Sequence, residues 1–321
     1  MTKRRLARIL GAAALVAIAA AALAVLAPYV YAEIGLRQSG ALVGRRPEQP
    51  VQGRWFDDYF VVETIDATTF AIGEPRYYQA NYSYLLIGTK RAVLFDAGTG
   101  NRDILAVVRS LTKVPVTVLP SHLHFDHVGA LGRLDHTALP DLPSLRSRIA
   151  TDGTLPLERY EFLGLADGLP LPRIAVDEWW FPGTDINLGG GRHLHVLATP
   201  GHTPNSASLY DAERRLLFVG DLLYPGKLYA FLPGASRSAY LDTTRRLLAM
   251  IDPDTRLYTA HRADDPDRIA APVLEVADLR ALEATLLAID GGKAVSTGFY
   301  PRIFPVRGPI TFATGFAWNN R

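Results

Sequence analysis

Cysteine is absent from this 321-residue chain. Its absence excludes scaffolds held by disulfides, zinc fingers with thiolate ligands, iron–sulfur clusters and enzymes with a cysteine nucleophile. An excess of one charge is also absent, since 34 Lys and Arg residues nearly balance 32 Asp and Glu residues. With 48% hydrophobic and 21% charged residues, the composition excludes a mostly disordered chain.

The small positive net charge is concentrated at the N-terminus. Lys3, Arg4, Arg5 and Arg8 precede Glu33, the first acidic residue, and the remainder carries 30 basic and 32 acidic residues. A remainder with a net charge of −2 has no electrostatic footprint for nucleic acid. The expected partner is therefore a small-molecule substrate, and the sequence indicates no oligomeric state.

An apolar segment follows the basic start. Ile9–Ala27 is nineteen consecutive uncharged residues, ten of them alanine, and predicts a targeting segment over residues 1–32. A cleaved signal peptide ending near Ala32 would give a secreted or periplasmic protein. An uncleaved transmembrane helix would hold the catalytic domain on the outer side of the cytoplasmic membrane. The length favours this anchor, because signal h-regions have about 7–15 residues and a membrane span about 20.

Residues 33–54 lack periodicity and predict a linker, which leaves residues 55–321 as the catalytic domain. In that domain, short β-rich runs are followed by helical patterns, twice. This order predicts an α+β fold of two packed sheets with helices on the outer faces. The clearest predicted elements are strands at Tyr82–Ile87, Arg91–Ala97, Pro115–Leu119 and Arg215–Val219 and helices at Arg102–Leu111, Ser238–Ile251 and Val273–Ile289.

A cluster of histidines follows the predicted strand Pro115–Leu119. In an extended loop, His122 and His124 point the same way because side chains alternate, so they can bind one cation together. Asp126 and His127 are offset from them and can address a second cation. Imidazole and carboxylate donors without thiolate suit zinc, and also iron or manganese.

Three further candidate ligands also lie at strand ends. His202 stands at a strand-to-turn junction, and Asp221 and His261 each end an apolar strand. Ligands placed after strands converge on the rim of a sheet. The spacing therefore predicts a metal site and not a solvated histidine-rich loop.

The pattern His-x-His-x-Asp-His, followed by a separate His, Asp and His, resembles the metallo-β-lactamase-fold superfamily of metallohydrolases. The resemblance covers about Tyr59 to His261 and implies a four-layer αββα sandwich. It also implies which residues bind the two metals. His122, His124 and His202 would bind the first metal, Asp126, His127 and His261 the second, and Asp221 would bridge both.

Such a site is expected to contain two zinc ions, with iron or manganese as alternatives. Two cations about 3.5–4 Å apart share a water and lower its pKa, so a metal-bound hydroxide can attack a carbonyl. Asp126 is placed to orient this hydroxide and handle its proton. Asp96, in an early motif that the family shares, is expected to fix the loop without binding metal.

Differences between this sequence and individual branches of the superfamily limit the activities that are expected. True zinc β-lactamases usually lack the bridging aspartate, and superfamily nucleases carry an inserted domain and a basic channel that this chain lacks. Glyoxalase-like thioesterases and acyl-homoserine lactonases match all seven ligands. The expected reaction is hydrolysis of a lactone or thioester with an apolar acyl group. The alternatives are a mononuclear-iron persulfide dioxygenase, a phosphodiesterase and a non-catalytic metal-binding envelope domain.

Two further features concern the substrate. Tyr224 occupies the position of a lactonase tyrosine three residues after Asp221 and is a candidate oxyanion donor, or it packs on a turn. Two apolar segments would either line an acyl pocket or fill gaps between layers. They are Thr154–Gly183, with Leu155, Phe162, Leu163, Trp179, Trp180 and Phe181, and Leu228–Pro233.

Overall fold

The computed structural model describes residues 3–32, 52–134, 136–158, 160–161, 172, 174–265 and 268–315. Of the predicted linker 33–54, residues 33–51 lie outside the described residues. The described residues resume at Gln52.

The first half of the chain forms the N-terminal helix, one six-stranded sheet and, in the region after that sheet, two two-stranded sheets. That region contains a 3-10 turn at Leu131–Arg133. The elements are α1 (Lys3–Val30), β1 (Arg54–Trp55), β2 (Val61–Asp66), β3 (Thr69–Glu74), β4 (Asn81–Ile87), β5 (Ala92–Phe95), α2 (Ile104–Leu111), β6 (Val116–Leu119), α3 (Phe125–Val128), β7 (Ala138–Pro140), α4 (Pro143–Arg146), β8 (Thr154–Leu155), β9 (Ile174–Ala175) and β10 (Glu178–Trp180).

The second half forms a second sheet and a C-terminal hairpin, with a 3-10 turn at Gly220–Leu222. Its elements are β11 (Asp185–Gly189), β12 (Arg192–Ala198), β13 (Ala207–Asp211), β14 (Leu216–Phe218), β15 (Lys227–Ala230), α5 (Arg237–Met250), β16 (Arg256–Tyr258), β17 (Val273–Glu275), α6 (Val276–Asp290), β18 (Arg302–Arg307) and β19 (Ile310–Thr314).

Each half contributes a six-stranded sheet. The strand orders are β1-β2-β3-β4-β5-β6 and β11-β12-β13-β14-β16-β17. Within these sheets, β5–β6 and β14–β16 are parallel pairs and the other neighbours are antiparallel. Parallel neighbours end at the same edge, so each sheet has one edge at which two strand ends lie side by side.

The two sheets pack face to face through buried aromatic residues. The Tyr84 ring of β4 lies 5.0 Å from the Phe218 ring of β14, and Phe95 of β5 lies 6.5 Å from the same ring. These residues belong to a core that draws on both sheets. Because sheets need a second apolar layer to cover their inner faces, this contact lets each sheet cover the inner face of the other.

Helices cover the outer faces of the sheets. Val107 and Val108 of α2 pack in one core with Leu94 of the first sheet. On the other side, helices α5 and α6 pack on the second sheet in a separate core, with Leu247 and Leu282 among the buried residues. The predicted α+β fold with αββα layers is confirmed.

One predicted helix begins later than its apolar pattern suggested. The run from Val273 divides into strand β17 and helix α6, because Glu275 and Asp278 form a capping box in which the Glu275 N–H donates to Asp278 at 2.9 Å. A cap of this kind satisfies backbone N–H groups at a helix start. Strand β17 then pairs with β16 as the edge of the second sheet.

A small sheet that the sequence analysis did not predict supports the segment after β14. Strands β15, β19 and β18 form it in that order, and the C-terminal hairpin therefore pairs with Lys227–Ala230. This sheet fixes the position of the apolar run Leu228–Pro233.

Candidate metal centre

All seven predicted ligands lie at the carboxyl ends of strands. The histidine motif follows β6, which is parallel to β5, and Asp221 and His261 follow the parallel pair β14 and β16. His202 follows β12 in the same sheet. The structure brings all seven side chains together in three overlapping groups, each buried and with ligand atoms within 4.8 Å of one another.

The loop that carries the first ligands is not extended throughout. His124 has extended backbone angles and caps a single helical turn, α3, on which Asp126 and His127 lie. The end of β14 approaches this loop closely at Gly220, whose φ is +54°. A Cβ there would lie 2.6 Å from Ser121 Cβ, so only glycine satisfies both the backbone angle and the close approach.

Three histidines form the first group. His124 Nδ1 lies 2.9 Å from His122 Nε2 and 2.9 Å from His202 Nε2. The other His202 nitrogen, Nδ1, lies 3.0 Å from the Tyr229 carbonyl, which leaves Nε2 directed at the centre. Burial, together with the neighbouring histidines, lowers the pKa of His122 and His124 well below the usual range. Neutral rings with their lone pairs converging are what a metal ion requires.

Asp126, His127 and His261 form the second group. Asp126 Oδ2 lies 3.4 Å from His261 Nε2, and Asp126 Oδ1 lies 3.6 Å from His127 Nε2. The Asp126 backbone carbonyl accepts a hydrogen bond of 2.7 Å from Asn81 Nδ2. This bond ties the helical turn to the start of β4.

Asp221 lies between the two groups. Its Oδ1 is 3.1 Å from His261 Nε2 and 3.3 Å from His127 Nε2, whereas its Oδ2 is 3.5 Å from His202 Nε2. One carboxylate oxygen therefore faces each group. Burial opposes the charge on Asp221, but His261 and His127 outweigh it and hold the carboxyl pKa well below its usual value.

Asp96 contacts the His127 ring at Nδ1, the nitrogen that does not face the predicted centre. Its Oδ2 lies 2.9 Å from His127 Nδ1, and its Oδ1 accepts a 2.6 Å hydrogen bond from the Ser121 N–H. Burial disfavours a charged His127, but Asp96, Asp126 and Asp221 together raise its pKa well above the usual value. As expected from the sequence, Asp96 fixes the loop and leaves His127 Nε2 directed at the centre.

The donor set fits a metal ion. Among the described residues, His127 Nε2, Asp221 Oδ1 and His261 Nε2 are buried and have no hydrogen-bond partner. Buried polar atoms without partners are costly, and both imidazole nitrogens lie within 3.3 Å of Asp221 Oδ1. Imidazole nitrogen and carboxylate oxygen atoms in such a cluster suit zinc, iron or manganese.

The centre opens into a pocket with an aromatic and apolar wall. His124, Asp126, His202 and Asp221 form its floor. Tyr229 and Leu232 of the wall lie in the run Leu228–Pro233, and Tyr160 lies in Thr154–Gly183, the two segments that the sequence indicated. The remaining wall residues, Tyr78, Gln79 and Phe125, come from other segments that the sequence did not indicate. A larger cavity of about 680 Å³ between α2 and β6 is lined by none of the seven ligands.

Tyr224 is fully buried beside the centre. Its ring lies 5.2 Å from the His261 ring, and its hydroxyl donates a 2.5 Å hydrogen bond to the Lys227 carbonyl. Burial raises its pKa well above the usual value, so the hydroxyl keeps its proton. Its role as an oxyanion donor stays a prediction, because that role requires the hydroxyl to leave Lys227.

Within the described residues, the segment Thr154–Gly183 contributes Tyr160 to the pocket wall, and its other large apolar side chains lie elsewhere. Leu155 and Trp180 are buried in the cores, Trp179 packs under the Arg146 guanidinium at 4.1 Å, and Phe181 is 66% exposed outside the pocket wall. Phe162 and Leu163 lie outside the described residues. Of the described aromatic side chains of this segment, Trp179 and Trp180 therefore pack on the cores, and Tyr160 alone lines the pocket.

Comparisons with known proteins agree with this geometry. The profile of the metallo-beta-lactamase superfamily matches residues 77–261, which include all seven predicted ligands. The acyl-coenzyme A thioesterase MBLAC2 of Gallus gallus is 26% identical over 220 residues, covering 61% of this chain and 77% of the relative. The hydroxyacylglutathione hydrolase GloC of Haemophilus influenzae is 25% identical over 203 residues, covering 62% of this chain and 90% of the relative.

A solved structure shows the same fold. The metallo-beta-lactamase from Pontibacter korlensis has a TM-score of 0.52 at 18% identity, covering 71% of this chain and 99% of that one. The sequence relatives are a thioesterase and a hydroxyacylglutathione hydrolase. The chain therefore groups with these hydrolases and not with the true β-lactamases.

Proposed function

Since this chain belongs to the metallo-β-lactamase superfamily of hydrolases, we propose that it hydrolyses a carboxylic thioester or lactone that carries an apolar acyl group. One observation carries the proposal. Buried His and Asp donors form overlapping groups around Asp221, whose carboxylate contacts His202, His127 and His261, and they adjoin a pocket walled by tyrosines and Leu232. A thioester is preferred because the relative MBLAC2 is named an acyl-coenzyme A thioesterase.

The centre would hold two zinc ions, with iron or manganese as alternatives. His122, His124 and His202 would hold the first, Asp126, His127 and His261 the second, and Asp221 both. When bound, the ions lower the pKa of a water and polarise the substrate carbonyl.

Residues of this chain would then orient the reacting groups and transfer protons. Asp126, fixed through Asn81, would accept a proton from the attacking water, whose oxygen forms a bond to the carbonyl carbon. Loss of the carbon–sulfur bond releases a thiol, which takes that proton, and a carboxylic acid. The buried donors keep other water away from the intermediate. Tyr224 would donate to the developing oxyanion once its hydroxyl turns from Lys227.

The N-terminal helix would anchor the enzyme in a membrane. Arg8–Val30 is long and apolar enough to cross one, by length and composition. Along this helix the side chains of Leu15, Val16 and Leu23 are 69%, 69% and 72% exposed, so the described part of the domain does not cover them. Ala32 is 1% exposed and packs with Phe231 and Leu232, which supports a helix end that stays attached to the domain. The catalytic domain would then lie on the outer side of the cytoplasmic membrane.

The test is to purify the full-length chain in detergent, measure its metals and offer a panel of substrates. We expect two transition-metal ions per chain and turnover of an acyl thioester, a lactone or both. A chain with one iron that consumes oxygen with a persulfide would overturn the proposal in favour of the dioxygenase. Turnover of a phosphodiester alone, or of no substrate despite full metal loading, would also overturn it.

A further inference from the structure

The end of the N-terminal helix packs against the catalytic domain. The Tyr31 ring lies 4.8 Å from the Phe231 ring in an edge-to-face contact, and the Tyr29 ring lies 5.8 Å from the Tyr160 ring in the same arrangement. Ala32 is buried in the same cluster. The chain is therefore held at the point where it leaves the helix.

The contacts of the helix end are also the wall of the pocket. Tyr160, Tyr229 and Leu232 line the pocket and belong to the cluster around Tyr31. Tyr229 also bonds through its carbonyl to His202, at 3.0 Å. A single layer of side chains therefore separates the helix end from the metal centre.

The length of the helix sets the depth of this cluster. The 23 residues of Arg8–Val30 rise roughly 34 Å at about 1.5 Å per residue, enough for a hydrocarbon core of about 30 Å. Val30 would then mark the membrane surface, with Tyr29 and Tyr31 in the interface that tyrosine prefers. The pocket wall would lie at the level of the lipid headgroups.

A second apolar group points out from the same cluster. The Tyr300 ring lies 5.9 Å from the Phe231 ring, and the neighbouring Phe299 is 81% exposed. Both lie on a turn closed by pairing of Thr297 with Ile303. An exposed phenylalanine on a turn that packs on the cluster at the helix end is suited to contact a membrane.

We propose that the pocket opens onto the surface of the bilayer and takes its substrate from the outer leaflet. The substrate class would be a membrane-partitioned lipid whose acyl chain lies among the lipids while its thioester or ester carbonyl reaches the centre. The substrate part of this inference rests on the proposed hydrolase function. The orientation of the domain rests on the helix and on Phe299.

The absence of cysteine makes the orientation directly measurable. Phe299→Cys and Phe181→Cys each give one thiol for a nitroxide label, and Phe181 is a matched control because it is exposed but lies outside this cluster. The full-length variants are placed in phosphatidylcholine vesicles. We expect the label at 299 to be reached by oxygen dissolved in lipid and protected from a water-soluble nickel complex, and the label at 181 to behave oppositely. Equal access of nickel to both labels would overturn the orientation.

Rates of thioester hydrolysis test whether the enzyme takes its substrate from the leaflet. Phe299→Ala should lower turnover of a palmitoyl thioester in vesicles several-fold and leave a water-soluble butyryl thioester unchanged, whereas Phe181→Ala should change neither. Equal loss on both substrates, or no loss on either, would overturn uptake from the leaflet. No turnover of the butyryl thioester by the unsubstituted enzyme would count against the proposed function, and the nickel measurement would still decide the orientation.

Discussion

Asp221 Oδ1 lies 3.1 Å from His261 Nε2, while the other oxygen of the same carboxylate faces His202. The single side chain therefore contacts both groups of donors. It is held there by the turn after β14, where Gly220 allows the close approach to Ser121.

Asp221→Ala should reduce the metal content from two ions per chain towards one, because two neighbouring dications would lose the anion between them. Elemental analysis of the purified full-length variant measures this. Asp185→Ala is the control, since that aspartate also contacts a histidine but its side chain is 47% exposed. Two ions retained in Asp221→Ala would show that the carboxylate does not bridge.

Asp96→Asn should weaken metal binding by about 10–100-fold, since partners that orient metal-bound histidines have effects of this size. Asparagine is the suitable replacement because Asp96 has a φ of +68° and asparagine tolerates this region. A competition titration with a metal chelator measures the affinity. Unchanged affinity would mean that Asp96 only shapes the loop.

The metal-free protein should be most stable near about pH 6.5, the ordinary histidine pKa. Below it, the unfolded chain takes up protons at His122, His124 and His202, whose pKa values burial lowers in the fold, so stability falls with falling pH. Above it, stability falls as pH rises towards the folded pKa of His127, which the surrounding carboxylates raise.

Three histidines act on the acid side and one on the alkaline side, whereas Glu63 and Glu74, whose pKa values burial raises, favour the fold at low pH and should flatten the acid limb. Urea unfolding of the metal-stripped chain from about pH 5 to 8 measures both limbs. Stability that rises steadily across the whole range would contradict the role given to His127.

Tyr224→Phe should lower kcat more than it raises KM, by roughly 10–1000-fold if the hydroxyl donates to the transition state. The measurement is steady-state kinetics together with thermal unfolding. If kcat stays the same and the free energy of unfolding drops by about 1 kcal/mol, the size of one hydrogen bond, the hydroxyl only stabilises the turn through its bond to the Lys227 carbonyl.

Shortening the acyl chain should lower kcat/KM by about tenfold for every one or two methylenes, because each buried CH₂ contributes about 0.8 kcal/mol. Leu232→Ala should reduce this dependence, since Leu232 lines the pocket. Leu287→Ala, on the exposed side of α6, is the control. Equal rates on short and long acyl chains would contradict an apolar acyl pocket but not the class of reaction.

The sequence by itself determined the two-sheet fold, the donor residues and the apolar helix. These follow from local chemistry, because strands alternate or run apolar, ligands follow strand ends, and a span needs only length and composition. The grouping of the seven donors, for example His202 with His122, came from the family resemblance and not from spacing.

Only the tertiary structure decided how distant segments meet. It directs one oxygen of Asp221 to each group, engages the Tyr224 hydroxyl with Lys227, and places Tyr160 and Tyr229 in one wall. It also brings the end of α1 to that wall through the contact of Tyr31 with Phe231. Such contacts depend on side-chain packing between segments that pair only after the sheets have formed, and no local pattern in the chain encodes them.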